Sequence, residues 1–327
     1  MKGSKDISNR SFHERTQRIP DRCSLLQTCE QNNDKRGLDT LDTHINQIHN
    51  LFSLHFEQTM NTSPTTVSMR PTFAVSDWDA TIPLMKDLAD QLAQQEMISL
   101  LDWTRAGDDL VLRSTFRDVD AMMSSLDQMT STLNLMDAGP APMNALEFHG
   151  SSKDMKKVRT QLPRITGKRA KDLDVDFYDT GTGLQMGSVD DRKALPLSRT
   201  ACSSHPRFTV NDWAKAEPIM QKFITQTTKE KGCAHFGWTR NGDSLQWTGH
   251  YVDGDALKRH FELTRPLLDQ LRTGPAALED MQVHGPKTEL EQVTEHLDSL
   301  PNVRIFFNEE RFPRLGDYQF NTAPRLT

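Results

Sequence analysis

The chain has 327 residues, a formal net charge of -6 and no long run of either sign. With 39 basic against 45 acidic residues, a general electrostatic attraction to nucleic acid or to an acidic membrane is unfavourable, so we expect neither as a partner. No apolar stretch approaches the roughly 20 residues that a membrane helix needs. The four scattered cysteines are too few for a disulfide framework, and we predict a soluble, cytoplasmic protein long enough for two domains.

The N-terminal segment, residues 1–68, is rich in Ser, Thr, Asn and Gln. Its one apolar patch has helical spacing but no partner, so we predict a disordered segment with one nascent helix. The patch consists of Ile45, Ile48, Leu51, Phe52 and Leu54. Three arginines beside Ser and Thr leave an organelle transit peptide open as an alternative, although nearby acidic residues argue against it.

From Arg70 onwards the chain resembles its own later part. Sliding Pro71 onto Pro206 without a gap also superposes Trp78 on Trp213, Trp103-Thr104-Arg105 on Trp238-Thr239-Arg240, Gly139-Pro140-Ala141 on Gly274-Pro275-Ala276, and His149-Gly150 on His284-Gly285. Such self-similarity predicts two copies of one module. We assign residues 69–180 to the first copy, 181–204 to a linker, 205–310 to the second copy and 311–327 to a tail.

The second copy shows the clearer pattern of elements. We predict a strand at Arg207–Val210, a helix that has Pro218 in its first turn and runs to Lys231, strands at Cys233–Arg240 and Ser244–Val252, a helix at Asp255–Arg272, a strand at Leu278–His284, a helix at Pro286–Leu300 and a strand at Val303–Phe307. The dipeptide Asn241-Gly242 favours a tight hairpin between the two central strands.

This order is βαββαβ with an extra helix and strand, and it predicts an α+β, ferredoxin-like fold for each copy. A sheet with helices on one face leaves its other face bare. We therefore predict that the two domains close their sheets against each other as an intramolecular pseudo-dimer, with further self-association left open.

Several stretches of the second copy are similar to a known family. They are Phe208-Thr209-Val210-Asn211-Asp212-Trp213, Gly232 to Trp238, Asn241-Gly242-Asp243, Gly249 to Asp253, His260-Phe261 and Val283 to Pro286. They resemble the antibiotic-biosynthesis-monooxygenase (ABM) family of dimeric α/β barrels. The resemblance implies oxidation of a small aromatic or quinone-like molecule by O₂ without a cofactor. The family also includes haem-degrading relatives and members of unknown role. Its usual member is a single domain that dimerises, so a tandem departs from the pattern.

The predicted hairpin sorts its side chains onto two faces. A two-residue loop at Asn241-Gly242 places Phe236, Trp238, Leu245 and Trp247 on one apolar face, which we expect to be core. The other face carries Cys233 opposite His250, with His235 beside them. If the loop has three residues, the pairing slips by one position and this cluster separates.

Histidines are concentrated in the second copy, and among them are His235, His250, His260, His284 and His296. Within the matched region the first copy has only His149, the equivalent of His284. We therefore expect titrating chemistry in the second copy, and a structural hydrogen bond at His149 and His284.

The resemblance matches His260 to a histidine of the family, and His260 is our first candidate for a catalytic base, with His235 and His250 as further candidates. Such a base would take a proton from a phenol or quinol and leave an anion that reacts with O₂. An aromatic wall and a polar contact for the substrate would come from Trp238, Trp247, Tyr251, Asn241 and Arg240.

Plainer alternatives stay open for each candidate. His260 can be a half-buried residue bonded to a backbone carbonyl, and the aromatic residues can be ordinary core. Cys233, His235 and His250 form only a weak metal set, and haem binding is no better supported. The sequence has neither a Gly-rich phosphate loop nor a nucleophile elbow.

Two functions follow, a cofactor-independent monooxygenase acting through the second copy and a non-catalytic ligand-binding or scaffold protein. An apolar pocket into which His260 or His235 points would favour the enzyme, and a volume filled by side chains would favour the alternative. The tail, with Phe312, Tyr318 and Phe320, is expected to pack across the second copy.

Overall fold

The computed structural model describes residues 66–93, 98–165, 174–185 and 200–314. They belong to one compact unit, Ser63–Thr327. The predicted disordered segment therefore lies outside the described residues except at its end, where the first strand already begins at Val67. The predicted linker is shorter than expected, because flanking strands extend to Gln185 and start again at Cys202.

The first half of the unit has eight elements. They are β1 (Val67–Ala74), α1 (Trp78–Ala93), β2 (Ile98–Ala106), β3 (Asp109–Phe116), α2 (Val119–Asp137), β4 (Met143–Gly150), α3 (Ser152–Ile165) and β5 (Val175–Gln185).

The second half repeats this order. Its elements are β6 (Cys202–Val210), α4 (Trp213–Thr227), β7 (Cys233–Asn241), β8 (Ser244–Tyr251), α5 (Gly254–Arg272), β9 (Ala276–Pro286), the short helices α6 (Lys287–Leu290) and α7 (Thr294–Leu297) around a 3₁₀ turn (Glu291–Val293), and β10 (Val303–Asn308). The helix predicted at Pro286–Leu300 is thus broken into three short pieces.

The ten strands form one closed barrel in the order β1-β3-β2-β10-β9-β6-β8-β7-β5-β4, which confirms the α+β class. The last strand of each half crosses to the other half. β5 is parallel to β4 and antiparallel to β7, while β10 is parallel to β9 and antiparallel to β2. Because side chains alternate along a strand, each strand sends one set into the lumen of the barrel and the other set outward.

The outward sets pack under the helices as two hydrophobic clusters, one in each half. Trp103 is fully buried in the first cluster, and Trp238 and Trp247 are fully buried in the second, as the predicted apolar face requires. Equivalent aspartates cap equivalent helices. The carboxylate of Asp118 accepts the Ala121 N–H at 2.8 Å, and that of Asp253 accepts the Ala256 N–H at 2.7 Å.

Two local predictions need correction. Asp212 caps α4 by accepting the N–H of Lys215, so the helix begins at Trp213 and Pro218 lies inside it rather than in its first turn. In the hairpin, Asn241 pairs with Ser244 and the turn residues are Gly242 and Asp243, two positions away from the predicted pairing. A shift of two preserves the faces, because strand alternation has a period of two.

The described part of the tail packs on the first half, not on the second as predicted. Phe312 is 2 % exposed and its ring stacks on Trp78, with ring centroids 5.8 Å apart. Tyr318 and Phe320 lie outside the described residues. Across the described residues, the helices are all too short or too polar to cross a membrane.

Candidate functional site

The predicted site residues other than Asn241 fall into three groups, and the first two adjoin where the ring centroids of Trp247 and Trp238 lie 5.2 Å apart. His260, Trp247 and Tyr251 lie together between the second sheet and α5, and we call this group the His260 cluster. Trp238 and Arg240 border an open groove beside α4, the Trp213 cleft. His235 and His250 face the lumen of the barrel.

In the His260 cluster, the imidazole of His260 is hydrogen-bonded to the carboxylate of Glu230. His260 is 0 % exposed, and its Nδ1 lies 2.9 Å from Oε2 of Glu230, in the turn between α4 and β7. A carboxylate only accepts hydrogen bonds, so Nδ1 is the donor in this bond. Nε2 of the same ring is buried and has no hydrogen-bond partner. The partner of His260 is therefore a carboxylate rather than the backbone carbonyl of the plainer alternative.

Aromatic rings surround the imidazole of His260. The ring centroids of Tyr251, Phe236, Trp247 and Phe261 lie 5.0, 5.3, 6.0 and 6.0 Å from that of His260. Burial raises the pKa of Tyr251 well above its usual value. His260 lines neither the Trp213 cleft nor the lumen cavities. A substrate therefore reaches its Nε2 only when this packing opens.

The Trp213 cleft has a volume of about 470 Å³, within the range of small-molecule sites. Trp213 and Met220 of α4 form one wall, and Trp238 and Arg240 of β7 form the other. The Arg240 guanidinium carbon lies 5.2 Å from the centre of the Trp213 ring. Asp179 of β5 adds a carboxylate from the first half.

Asn241 does not line this cleft. Its Nδ2 donates to Oδ1 of Asp176 at 3.0 Å, across the seam between β7 and β5. This predicted substrate contact is therefore engaged in joining the two halves.

The equivalent position in the first half is filled. Trp78 and Arg105 correspond to Trp213 and Arg240, and Arg105 lies 4.3 Å from the centre of the Trp78 ring. The ring of Phe312 covers Trp78 there. The second half thus has an open cleft where the first half already holds an aromatic ring.

In the lumen, His235 is paired with His250 across the hairpin, with ring centroids 5.9 Å apart. A bulge then pairs Cys233 with Tyr251, so the predicted position of Cys233 opposite His250 is wrong. Within the described ranges, no three His, Cys, Asp or Glu side chains are grouped so as to hold a metal ion. Burial lowers the pKa of His235 to about 4 and that of His250 well below its usual value, which keeps both rings neutral.

His149 and His284 make equivalent contacts between the halves. Nδ1 of His149 lies 2.9 Å from Oγ1 of Thr239, and Nδ1 of His284 lies 2.7 Å from Oγ1 of Thr104. A structural hydrogen bond was expected for both, but each joins the opposite half instead of fixing a turn.

Sequence reasoning missed Glu230, Trp213 and the lumen arginines, Arg70 and Arg113. Trp213 carried a signal, because it matches Trp78 in the repeat. Glu230 had none, since its contact with His260 joins a turn to the distant helix α5.

No protein-family model matches the chain, and a search of curated proteins finds no similar sequence. Among solved structures, MupZ from Pseudomonas fluorescens is 26 % identical, covers 35 % of this chain and 95 % of its own, and has a TM-score of 0.31. A candidate monooxygenase from Lactobacillus acidophilus NCFM is 12 % identical over 67 % of this chain and 91 % of its own, with a TM-score of 0.41. An anthrone oxidase-like protein is 10 % identical over 67 % of this chain and 93 % of its own, with a TM-score of 0.30. These scores are low, so we infer the function from the chain's own residues.

Proposed function

We propose that this chain is a cofactor-independent monooxygenase that acts on a small aromatic or quinol-like compound, with His260 as its base. The observation that carries the proposal is the buried Glu230–His260 pair, whose Nε2 is unpartnered among aromatic rings. We also propose that the two halves are ABM-like, ferredoxin-like domains fused as a pseudo-dimer. The repeated element order and the crossing of β5 and β10 support this arrangement.

The chemistry needs a proton acceptor and a dry, aromatic enclosure. Nε2 of His260 accepts a proton from the substrate, and the Glu230 carboxylate stabilises the imidazolium that forms. The resulting carbanion or phenolate gives its electrons to O₂. For a benzylic CH₂ that becomes C=O, one oxygen atom enters the product and the other leaves as water, so the substrate supplies all the electrons.

Access to Nε2 requires movement of the aromatic side chains around His260, because Glu230 is bonded to the other ring nitrogen, Nδ1. The turn that carries Glu230 stays in place in this proposal, since its carboxylate stabilises the imidazolium. Gating by local opening is common in enzymes that exclude water during reaction. In this proposal, opening of the packing beside Tyr251 admits the substrate.

The test is O₂ uptake with a panel of quinols and anthrones. We expect His260→Ala to lower kcat at least about 100-fold, the usual contribution of a general base, and Glu230→Gln to lower it less. The matched control is His296→Ala, because His296 is a partly exposed histidine of the same half and faces Glu262. Equal turnover in His260→Ala and the parent would remove His260 from the mechanism.

A second candidate function is non-catalytic binding of an aromatic ligand in the Trp213 cleft. The specific observation in its favour is the Phe312 ring on Trp78, which occupies the equivalent place in the first half. The filled volume around His260 also favours it. A flat ring stacked on Trp213, beside Arg240, would reproduce that packing.

Binding of the same quinols and anthrones, followed by tryptophan fluorescence, separates the two candidates. We expect Trp213→Ala to weaken binding in the cleft at least about tenfold, as loss of an aromatic contact would. Trp78→Ala is the control, since Phe312 already covers that ring. The second function would be supported if the parent binds these compounds without any O₂ uptake and only Trp213→Ala loses that binding. Turnover that is insensitive to Trp213→Ala would support the first.

A further inference from the structure

Two arginines lie side by side inside the barrel. The antiparallel register of β1 and β3 pairs Met69 with Ser114 and Thr72 with Val111, which places Arg70 directly opposite Arg113. The two side chains are 7 % and 4 % exposed. Like charges that face each other across neighbouring strands destabilise a sheet unless negative charge lies close by.

Each arginine has one carboxylate but keeps an unpaired donor. Arg70 binds Glu147 and also donates to Gln246, and Arg113 binds Asp102. Nη1 of Arg70 and Nε of Arg113 remain buried with no hydrogen-bond partner. A guanidinium nitrogen can only donate, so these two atoms lack an acceptor.

Two histidines add unpartnered nitrogens to the same region. Nδ1 of His205 and Nδ1 of His250 are buried without a partner, and their ring centroids are 6.0 Å apart. Burial, and then the charge of Arg70, lowers the pKa of His205 well below its usual value. A neutral imidazole still has one N–H to donate.

All four side chains line one small cavity of the lumen, with a volume of about 20 Å³. A second cavity of the same size shares His149, Thr115 and His250 with it. This volume admits one water molecule or one monatomic ion and excludes an aromatic substrate.

We propose that the lumen holds a monatomic anion of the size of chloride, bound between Arg70 and Arg113 and completed by His205 and His250. The ion supplies the missing acceptor to both guanidinium groups and separates two like charges. A water molecule can also accept from both guanidinium groups through its two lone pairs, but it brings no negative charge between them. The site is independent of the oxidation proposed above, since it uses none of the residues of the His260 cluster.

The experiment compares thermal unfolding of the full chain in sodium chloride, sodium bromide and sodium gluconate at equal ionic strength. Saturation of one site by chloride or bromide should raise the midpoint by about 3 °C relative to gluconate, whose anion is too large for the cavity. A crystal grown with bromide should show anomalous density at hydrogen-bonding distance from Nη1 of Arg70 and Nε of Arg113.

The variant pairs Arg113→Met with Asp102→Asn, which removes the donor without leaving a buried carboxylate unpaired. This double variant should show the same unfolding midpoint in chloride, bromide and gluconate. The control pairs Arg207→Met with Asp280→Asn, an ion pair that lines neither cavity, and should keep the higher midpoint in chloride and bromide.

Equal midpoints in the three salts would overturn the proposal and assign the cavity to water. Bromide density only on the surface of the parent protein, which means an adventitious ion only, would overturn it too. The crystal of the parent protein decides between these outcomes even if the double variant fails to fold.

Discussion

His260 and the lumen histidines are one residue type in two electrostatic environments. His260 faces the carboxylate of Glu230, which holds its Nδ1 as a hydrogen-bond donor and fixes the orientation of the ring. His205, His250 and His284 are buried beside the positive charges of Arg70 and Arg113, and their pKa values are lowered, first by burial. This contrast is the reason that we assign proton transfer to His260 and not to the lumen.

Burial also sets the reactivity of the cysteines. It raises the pKa of Cys202 to about 12 and that of Cys233 further, so little thiolate exists at neutral pH. In a chain with Cys23→Ser and Cys29→Ser, we expect slow alkylation by iodoacetamide in the folded state, with a rate that rises up to about pH 12. Mass spectrometry of labelled peptides measures it.

The control for this prediction is the same chain in denaturant, where both thiols should react with an ordinary pKa of about 8.5. Rapid labelling of Cys202 in the folded protein near pH 7 would contradict the burial described for it.

For individual residues, the sequence predicted burial better than it predicted the contacts that each side chain makes. Alternation placed Trp238 and Trp247 in the core, whereas His260, for which a half-buried position was one alternative, is fully buried. The partner Glu230 could not be predicted, because its contact depends on how α5 packs over the α4–β7 turn. Similarly, pairing of Arg70 with Arg113 requires the register of two strands.

Among the elements, the β7–β8 hairpin depends on one backbone conformation. Gly242 has φ 58°, in the left-handed region, and its equivalent Gly107 has φ 62°. A Cβ at either position would contact nothing within 4 Å, so backbone strain is the only cost. We expect Gly242→Ala to lower the free energy of unfolding by about 1 to 2 kcal/mol, measured by urea denaturation.

Gly107→Ala serves as the matched variant and should show a similar loss. An unchanged urea midpoint in both variants would mean that these turns adopt another conformation.

The sequence predicted this hairpin and its two faces but not its register. Both Asn241-Gly242 and Gly242-Asp243 are common turn dipeptides, and only pairing along the whole strands decides between them. Among the described residues, Asn302 is the one non-glycine with positive φ, so Asp243 does not adopt the conformation that a type I′ turn needs.

The segment after β10 covers Trp78 of the first half with the ring of Phe312. Phe312→Ala removes a ring that is 2 % exposed and should cost about 3 kcal/mol of unfolding free energy, as large core truncations do. It should also open a second aromatic site on Trp78. If the Trp213 cleft binds an aromatic ligand, calorimetry should then give two ligands per chain instead of one.

Arg311→Ala is the control, because Arg311 is exposed and its guanidinium carbon lies 5.8 Å from the centres of both the Phe312 and the Trp78 rings. It should cost less than about 1 kcal/mol and leave the stoichiometry unchanged. A single site in Phe312→Ala would show that Trp78 and Trp213 are not equivalent binding surfaces.

For the whole molecule, the buried histidines predict loss of stability in mild acid. Five lumen histidines, His149, His205, His235, His250 and His284, have lowered pKa values. The unfolded chain binds protons below about pH 6.5 while the folded chain does not, so the free energy of unfolding falls as pH falls from there. Each histidine contributes about 1.4 kcal/mol per pH unit.

Urea denaturation between pH 7 and pH 5 measures this slope. His284→Gln should reduce it by the share of one histidine. A pH-independent midpoint across this range would mean that the lumen rings take up protons in the folded state.

At the scale of the molecule, self-comparison of the sequence predicted two α+β halves, and the order of their elements agrees. It did not predict that β5 and β10 each complete the sheet of the opposite half. That exchange depends on contacts such as Asn241 with Asp176 and Asn308 with Asp102, which no local pattern reveals.

Because β5 crosses to the second half, residues of both halves line the Trp213 cleft. Asp179 reaches it from a strand that otherwise belongs to the first half. A gene fission, or a splice form that retained only the later half, would therefore leave β7 as an open edge and the cleft without one of its carboxylates. The first half is therefore more than a structural partner, because its last strand supplies part of the cleft of the second half.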